Sequence, residues 1–402
     1  MNTPLPVPSF RRLRAFETIA RTGSVSAAAQ ALRLSQPAVT HALNLLEAEL
    51  GARLFERRQD GSFLNADGAI FRRRTGRFFD QIVAAVECTH GREDAENIAA
   101  KIGGAQVRSL LAIWQTGSFR AAAQALEISE PSLQRPARAL ERLLETTLYR
   151  RSATGLGVNE TGGELARRLA LAIGEIRSGA EEIGAASKAR ASLRVGVLAL
   201  SPRTLLAQAT GVLLARYPAQ KMEVVESSYQ QLARDLHDGA LDVIFGALRE
   251  PPPYADLIGE DLFEDPYSIV CRRDHPLTKV ALVEPADLAR YGWVFPTQGL
   301  PRRDVLNAMI EAWGLSPDVQ IETSCLSTII ALLTASDRLS LLSRWNITLY
   351  GHSELARVES VRIPHERRNV GLTTRSGWLP TPFQDAFLTS IRTAAGPLQT
   401  FA

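Results

Sequence analysis

The 402-residue sequence contains only three cysteines, Cys88, Cys271 and Cys325. They are far apart, odd in number and never spaced as C-x-x-C, which argues against a disulfide framework or a structural zinc. They read as small buried or half-buried thiols in a reducing compartment. Long apolar runs are also missing: no stretch approaches the roughly 18 residues that a membrane span needs. The first residues, Met1 to Arg14, are proline-rich and then basic, without the apolar segment of a signal peptide. A cytoplasmic location with no membrane partner is expected. Only six histidines occur, scattered, and no H-E-x-x-H, G-x-S-x-G, P-loop or G-x-G-x-x-G pattern is present. An enzyme is disfavoured, and neither a metal nor a cofactor is expected.

What is present is ordinary globular material, 45% hydrophobic and 22% charged, enough for roughly two to four domains. The net charge of +3 is unevenly placed. Residues 1–78 carry 12 basic residues against 6 acidic ones, whereas residues 191–402 carry 20 against 23. A basic N-terminal segment on a mildly acidic remainder is the electrostatic footprint of nucleic-acid binding at one end.

The most informative feature is an internal repeat at an offset of 94 residues. Thr22-Gly23-Ser24, Ala27-Ala28-Ala29-Gln30-Ala31-Leu32, Ser35, Pro37, Leu46-Glu47, Leu54, Gly61, Asn65 and Gly68 recur as Thr116-Gly117-Ser118, Ala121-Ala122-Ala123-Gln124-Ala125-Leu126, Ser129, Pro131, Leu140-Glu141, Leu148, Gly155, Asn159 and Gly162. Chance does not hold one register that long, so the chain carries two copies of one small domain. Within a copy, Leu13, Phe16 and Ile19 fall at helical spacing and Gly23 ends the helix. Ser24 opens a second, alanine-rich helix. Ser35 caps a third, with Pro37 in its first turn. Val39, Leu43, Leu46 and Leu50 form its buried face, and Thr40, His41 and Asn44 point away. Leu54-Phe55 and the Asp60-Gly61 turn read as a hairpin wing, and Asn65 caps a long helix running toward Thr89. Two helices, a tight turn and a third helix with a polar outer face are the geometry of helix-turn-helix DNA readers.

These residues resemble the N-terminal signature of the LysR-type regulators: Gly23-Ser24, Ala27-Ala28, Leu32, Ser35-Gln36-Pro37-Ala38, Leu46-Glu47, Leu50-Gly51, Leu54-Phe55, Arg57 and Gly68. The resemblance implies DNA contacts from Gln36, Pro37, Thr40, His41 and Asn44 on the reading helix. Arg53, Arg57 and Arg58 would contribute near the wing. His41 stands where the family often has arginine, which makes its phosphate contact weaker and pH-dependent. The family carries one such unit; this chain carries two. The second keeps the core but changes the face. Glu130 replaces Gln36, Thr147 replaces Arg53, and Pro136 sits inside the reading helix, where it costs about 3 kcal/mol or a kink. Gln134, Arg135 and Arg138 remain as candidate DNA contacts. Two readings stay open: a copy kept for packing, or a second reader of altered specificity. LysR-type proteins pair through the long helix after the wing, so residues 65–89 and 159–187 are expected to pair within one chain.

From Leu193 the pattern changes to short apolar strands alternating with helices, which argues for a parallel sheet. Together with Ala215-Arg216-Tyr217-Pro218, Gly239-Ala240-Leu241-Asp242 and Asp274-His275-Pro276-Leu277, it resembles the two-lobed, periplasmic-binding-protein-like α/β effector domain of the same family. The expected domains are 8–90 and 104–188, two winged helix-turn-helix units, with a glycine-containing linker at 89–105. The effector domain spans 191–396, with lobe I near 191–271 and 375–396 and lobe II near 272–374. In such sheets ligands meet strand ends and helix N-termini. Candidate effector contacts are Ser201, Arg203, Thr204, Ser227, Ser228, Gly246, Thr297, Gln298, Thr323 and Ser324, with Arg302 nearby, a set that suits a small organic acid. The expected function is a sequence-specific transcription regulator under small-molecule control, homo-oligomeric, with double-stranded DNA and RNA polymerase as macromolecular partners. The alternative is a regulator-like protein whose repeat serves dimerisation or protein contacts, with weak DNA binding.

Overall fold

The computed structural model describes residues 7–399 apart from 59–60, 92, 153–154, 184–191, 318, 346, 348–353, 360, 362 and 364–367. Two compact units divide at Ala191 and Ser192.

In the first unit, α1 (Phe10–Thr22), α2 (Val25–Leu32) and α3 (Gln36–Leu50) are followed by β1 (Phe55–Arg58), β2 (Gly61–Leu64) and the long α4 (Ala66–His90). Local chemistry sets each boundary. Gly23 stops α1 in the left-handed region, at φ 70°. The hydroxyls of Ser24 and Ser35 accept from Ala27 N and Ala38 N, and Asn65 Oδ1 accepts from Gly68 N. A short α5 (Ala95–Lys101) then leads to the second copy: α6 (Gly104–Thr116), α7 (Phe119–Ala125), α8 (Glu130–Leu144), β3 (Tyr149–Ser152), β4 (Gly155–Val158) and α9 (Glu160–Ile183). The expected polar linker at 89–105 is therefore partly helical, with Ala95, Ile98 and Ala99 buried. Helix α8 continues through Pro136. The bond lost there is outweighed by burial of Leu133, Leu140 and Leu144, each contributing about 2 kcal/mol, with Ala137 buried beside them.

The buried side chains of both copies form one continuous cluster, so the tandem units are not separate bodies. The long helices hold them together. Arg74, on α4, donates to Glu175 Oε2 at 2.7 Å and, through Nε, to Glu182 Oε1 at 2.7 Å. Arg77 reaches Glu175 at 3.0 Å and Arg73 reaches Glu182 at 3.0 Å. Contacts on α4 move forward while those on α9 move backward, so the helices run antiparallel.

The second unit has two lobes. Lobe I holds a five-stranded sheet in the order β6-β5-β7-β14-β8, formed by β5 (Ser192–Val197), β6 (Lys221–Glu226), β7 (Val243–Ala247), β8 (Leu257–Glu264) and β14 (Asn369–Arg375). β5 lies parallel to β6 and β7, as the alternating pattern implied; β14 runs antiparallel to β7 and β8. Helices α10 (Arg203–Arg216) and α11 (Tyr229–His237) connect the parallel strands. Lobe II contains β9 (Tyr267–Arg272), β12 (Ser340–Ser343) and β13 (Leu355–Arg357) in the order β12-β9-β13, with a parallel pair of β10 (Val294–Phe295) and β11 (Ile321–Glu322). Its helices are α12 (Pro285–Leu288), α13 (Pro301–Ala312) and α14 (Leu326–Thr334), and α15 (Pro382–Gln399) closes the chain. The lobe limits expected from the sequence shift accordingly. Residues 267–272 belong to lobe II and 369–375 to lobe I, because the chain crosses between sheets at Asp265 and Arg368. These two residues form a buried ion pair, and Asp265 N donates to Arg368 O at 2.8 Å.

The cysteines also differ from expectation. Cys271 is buried, but Cys88 and Cys325 are exposed.

Candidate DNA-reading faces and effector hinge

On α3, Gln36, Pro37, His41 and Asn44 are exposed and Thr40 is half-buried, while Val39, Ala42, Leu43, Leu46 and Leu50 face the core. The 3.6-residue period separates the two sets, so an amide, a hydroxyl and an imidazole line one open side. Behind them, the buried Glu47 carboxylate accepts from Leu54 N at 2.8 Å and from Arg53 Nη1 at 2.8 Å. Asn65 Nδ2 donates to Arg53 O at 2.8 Å. These bonds set where the wing leaves α3. The wing is also anchored to the first turn, with Ser62 N donating to Gly23 O at 2.9 Å. Arg53 keeps most of its side chain in solvent despite its bond to Glu47. Arg57 and Arg58 lie on β1, opposite Ser62 and Gly61; their side chains, and the Asp60 half of the expected turn, lie outside the described residues.

The second copy repeats this scaffold. Glu141 accepts from Leu148 N at 2.8 Å, and Asn159 Nδ2 donates to Thr147 O at 2.8 Å. On α8, Gln134, Arg135 and Arg138 are exposed beside Glu130. Arg138 is bonded to Glu141 Oε2 at 2.6 Å and lies over the Tyr149 ring, so it is less available than Arg135.

In the effector unit the expected contacts fall into distinct classes. Ser201 is buried and already committed: its hydroxyl donates to Phe245 O at 2.8 Å and accepts from Leu198 N at 3.0 Å. It presses on Gly246, where a Cβ would lie 2.7 Å from Ser201 Oγ. These two residues shape the strand ends. Arg203 is exposed and paired with Glu226; Thr204 and Ser227 are half-buried. Ser228 caps α11, accepting from Gln231 N. In lobe II, Thr297 and Ser324 share a hydrogen bond, Thr323 accepts from Cys325 N at 3.2 Å, and Gln298 is exposed.

A cluster that sequence reasoning did not assemble lies at the hinge. Arg249 stacks over the Tyr229 ring at 5.3 Å, and Arg368 over the Tyr267 ring at 5.5 Å. Arg368 also donates to Leu200 O, and Leu200 packs on the lobe II core. Arg302 is 3% exposed and donates to Leu341 O at 3.0 Å, but among the described residues its Nε has no partner; neither has the buried Tyr229 hydroxyl. Burial, followed by the nearby Arg368 charge, pushes Arg302 down to about 10 and lowers Arg249, with Tyr267 acting the other way in both cases. Burial raises Tyr229. These residues come from separate segments, singly and without spacing, so no sequence motif marks them. Among the described residues no group of three or more metal-ligating side chains is present, and no helix is long and apolar enough to cross a membrane.

Residues 10–69 and 105–163 each match the bacterial regulatory helix-turn-helix protein of the lysR family, and residues 186–396 match the LysR substrate binding domain. The transcriptional regulator GalR of Pseudomonas putida is 29% identical over 390 residues, covering 96% of this chain and 97% of GalR. The regulator PcaQ of Agrobacterium fabrum is 25% identical over 283 residues, covering 69% and 90%. A full-length OxyR variant from Pseudomonas aeruginosa shares the fold at 21% identity, with a TM-score of 0.52, covering 73% of this chain and 96% of that one. The chain thus belongs to the LysR family, as a DNA-binding transcription regulator under the control of a small-molecule effector that carries the family's DNA-reading unit twice.

Proposed function

We propose that the chain reads its operator with α3 and senses a small organic anion at the effector hinge. Gln36, Thr40, His41 and Asn44 address base edges, and Arg53, Arg57 and Arg58 address adjacent phosphates. At the hinge, Arg249, Arg302 and Arg368 gather around Tyr267 with Asp265 bonded to Arg368. The observation that carries the effector class is the buried Arg302 Nε, left without a partner among the described residues, a donor that a carboxylate satisfies. Thr297, Gln298, Thr323, Ser324, Arg203, Thr204, Ser227 and Ser228 orient the rest of the ligand. The second copy is a further DNA contact, through Gln134 and Arg135, because α8 stays helical and keeps that side exposed. The protein works in the cytoplasm as a homo-oligomer that acts on RNA polymerase at the promoter, and it performs no catalysis.

A thermal-shift screen of small organic acids against the full chain tests the effector reading. A stabilising acid is expected, with the shift lost in Arg302→Met; a set of acids without effect would refute it. Gel shifts on duplexes selected from a random pool, at stated salt, test the reading helix. Gln36→Ala is expected to weaken binding about tenfold, in line with a lost base contact.

A further inference from the structure

The 94-residue offset lets every contact between α4 and α9 be compared with its repeat equivalent. Arg74 is 1% exposed and meets Glu175 and Glu182, which are 8% and 3% exposed. The equivalents of Arg74, Glu175 and Glu182 are Arg168, Gln81 and Cys88. Two α4 helices paired in this register would set each buried Arg74 against Gln81 and Cys88, with no carboxylate. Two α9 helices would keep Glu175 and Glu182 opposite Arg168, but would remove both carboxylates from Arg74. The α4 pairing strands a buried guanidinium, which is strongly unfavourable, and the α9 pairing takes from Arg74 both carboxylates that it meets here.

Shape acts in the same direction. A Cβ on Gly179 would lie 3.1 Å from both the Phe71 ring and Arg74 Cβ, so α9 approaches through a glycine. The equivalent residue on α4 is Ala85, which would bring its methyl group into that space. The described part of the connection between copies is packed as well. Arg14 of α1 donates to Ala99 O and Ile102 O at 3.2 and 2.9 Å, and His90 Nδ1 donates to Leu144 O at 2.8 Å.

We propose that α4 accepts the α9 of its own chain in preference to any long helix of another, so that one chain holds a complete pair of unlike reading units. Charge complementarity and the glycine contact select the partner, and the packed connection keeps it at high effective concentration.

The test uses full-length chains and hydrogen exchange across residues 71–82 of α4. One variant carries Arg74→Glu; a second carries Glu175→Arg with Glu182→Arg; a third carries all three changes. The first two are also co-expressed as a mixture. A milder variant, Glu175→Gln with Glu182→Gln, keeps the side-chain shapes and withdraws both carboxylates. Exchange at least tenfold faster than in the parent is expected in the first two and in the glutamine variant, restored in the triple variant and not in the mixture. Recovery in the mixture would show pairing between chains and overturn the proposal. Parental exchange in the glutamine variant, or a triple variant as fast as its parts, would overturn it equally. No DNA enters the readout, so a failure of operator reading is seen separately.

Discussion

At His275 the imidazole is fully buried, with Nδ1 accepting from Leu277 N at 3.1 Å and Nε2 donating to Asp337 O at 3.2 Å. Those bonds require the neutral ring, and burial lowers its pKa below the usual histidine value despite the opposing pull of Asp337. The folded state therefore binds its proton less readily than the unfolded chain. Stability from this site is complete above about pH 6.5 and is lost as pH falls below it. Urea unfolding of the effector unit at pH 7 and pH 5 should differ by about 1–2 kcal/mol through this residue, the worth of a buried hydrogen bond. His275→Gln should flatten that difference; an unchanged pH dependence would exclude the assignment. The cysteines give a second prediction at this scale. Hydrogen bonds from Ser327 and Thr328 bring Cys325 down to about 7, whereas burial pushes Cys271 up to about 12. Iodoacetamide at pH 7 should label Cys325 at least tenfold faster than Cys271, read by mass spectrometry. Equal rates would contradict the two environments.

Along single elements, glycine position decides the sign of a substitution. In α4, a Cβ on Gly68 would come within 2.0 Å of Leu54 O, while one on Gly76 would meet nothing within 4 Å. Gly68→Ala is expected to destabilise the first unit by about 2–3 kcal/mol through overpacking against backbone. Gly76→Ala should stabilise it by about 0.5–1 kcal/mol through helix propensity. Chemical denaturation of the two variants should move in opposite directions, and a shared direction would refute the close approach. Helix boundaries of this kind were legible because caps are local: Gly23, Ser24, Ser35 and Asn65 act within four residues of themselves. Helix α5 was not, since seven residues between polar neighbours carry too little periodicity to announce burial. Strands β8 and β9 escaped notice for a similar reason. They belong to different sheets although only Asp265 and Pro266 lie between them, and nothing local marks that crossing.

For the whole molecule, the tandem arrangement makes a prediction about DNA. If one chain presents α3 and α8 together, its operator has two dissimilar half-sites, because Gln36 on one helix is matched by Glu130 on the other. Footprints of the full chain on a selected duplex should lose one half-site with Gln36→Ala and His41→Ala, and the other with Gln134→Ala and Arg135→Ala. Loss of the same half-site by both pairs would refute the two-reader arrangement.

The order of residues by itself determined the repeat, the helix caps, the reading face of α3 and the alternation of strands and helices after Leu193. All of these rest on periodicity or on contacts between near neighbours. The tertiary structure alone decided which glutamates surround Arg74 and where the chain passes between lobes. It also decided which arginines meet at the hinge. Those outcomes depend on contacts between residues from about twenty to more than a hundred positions apart, whose energy exists only once the chain has brought them together.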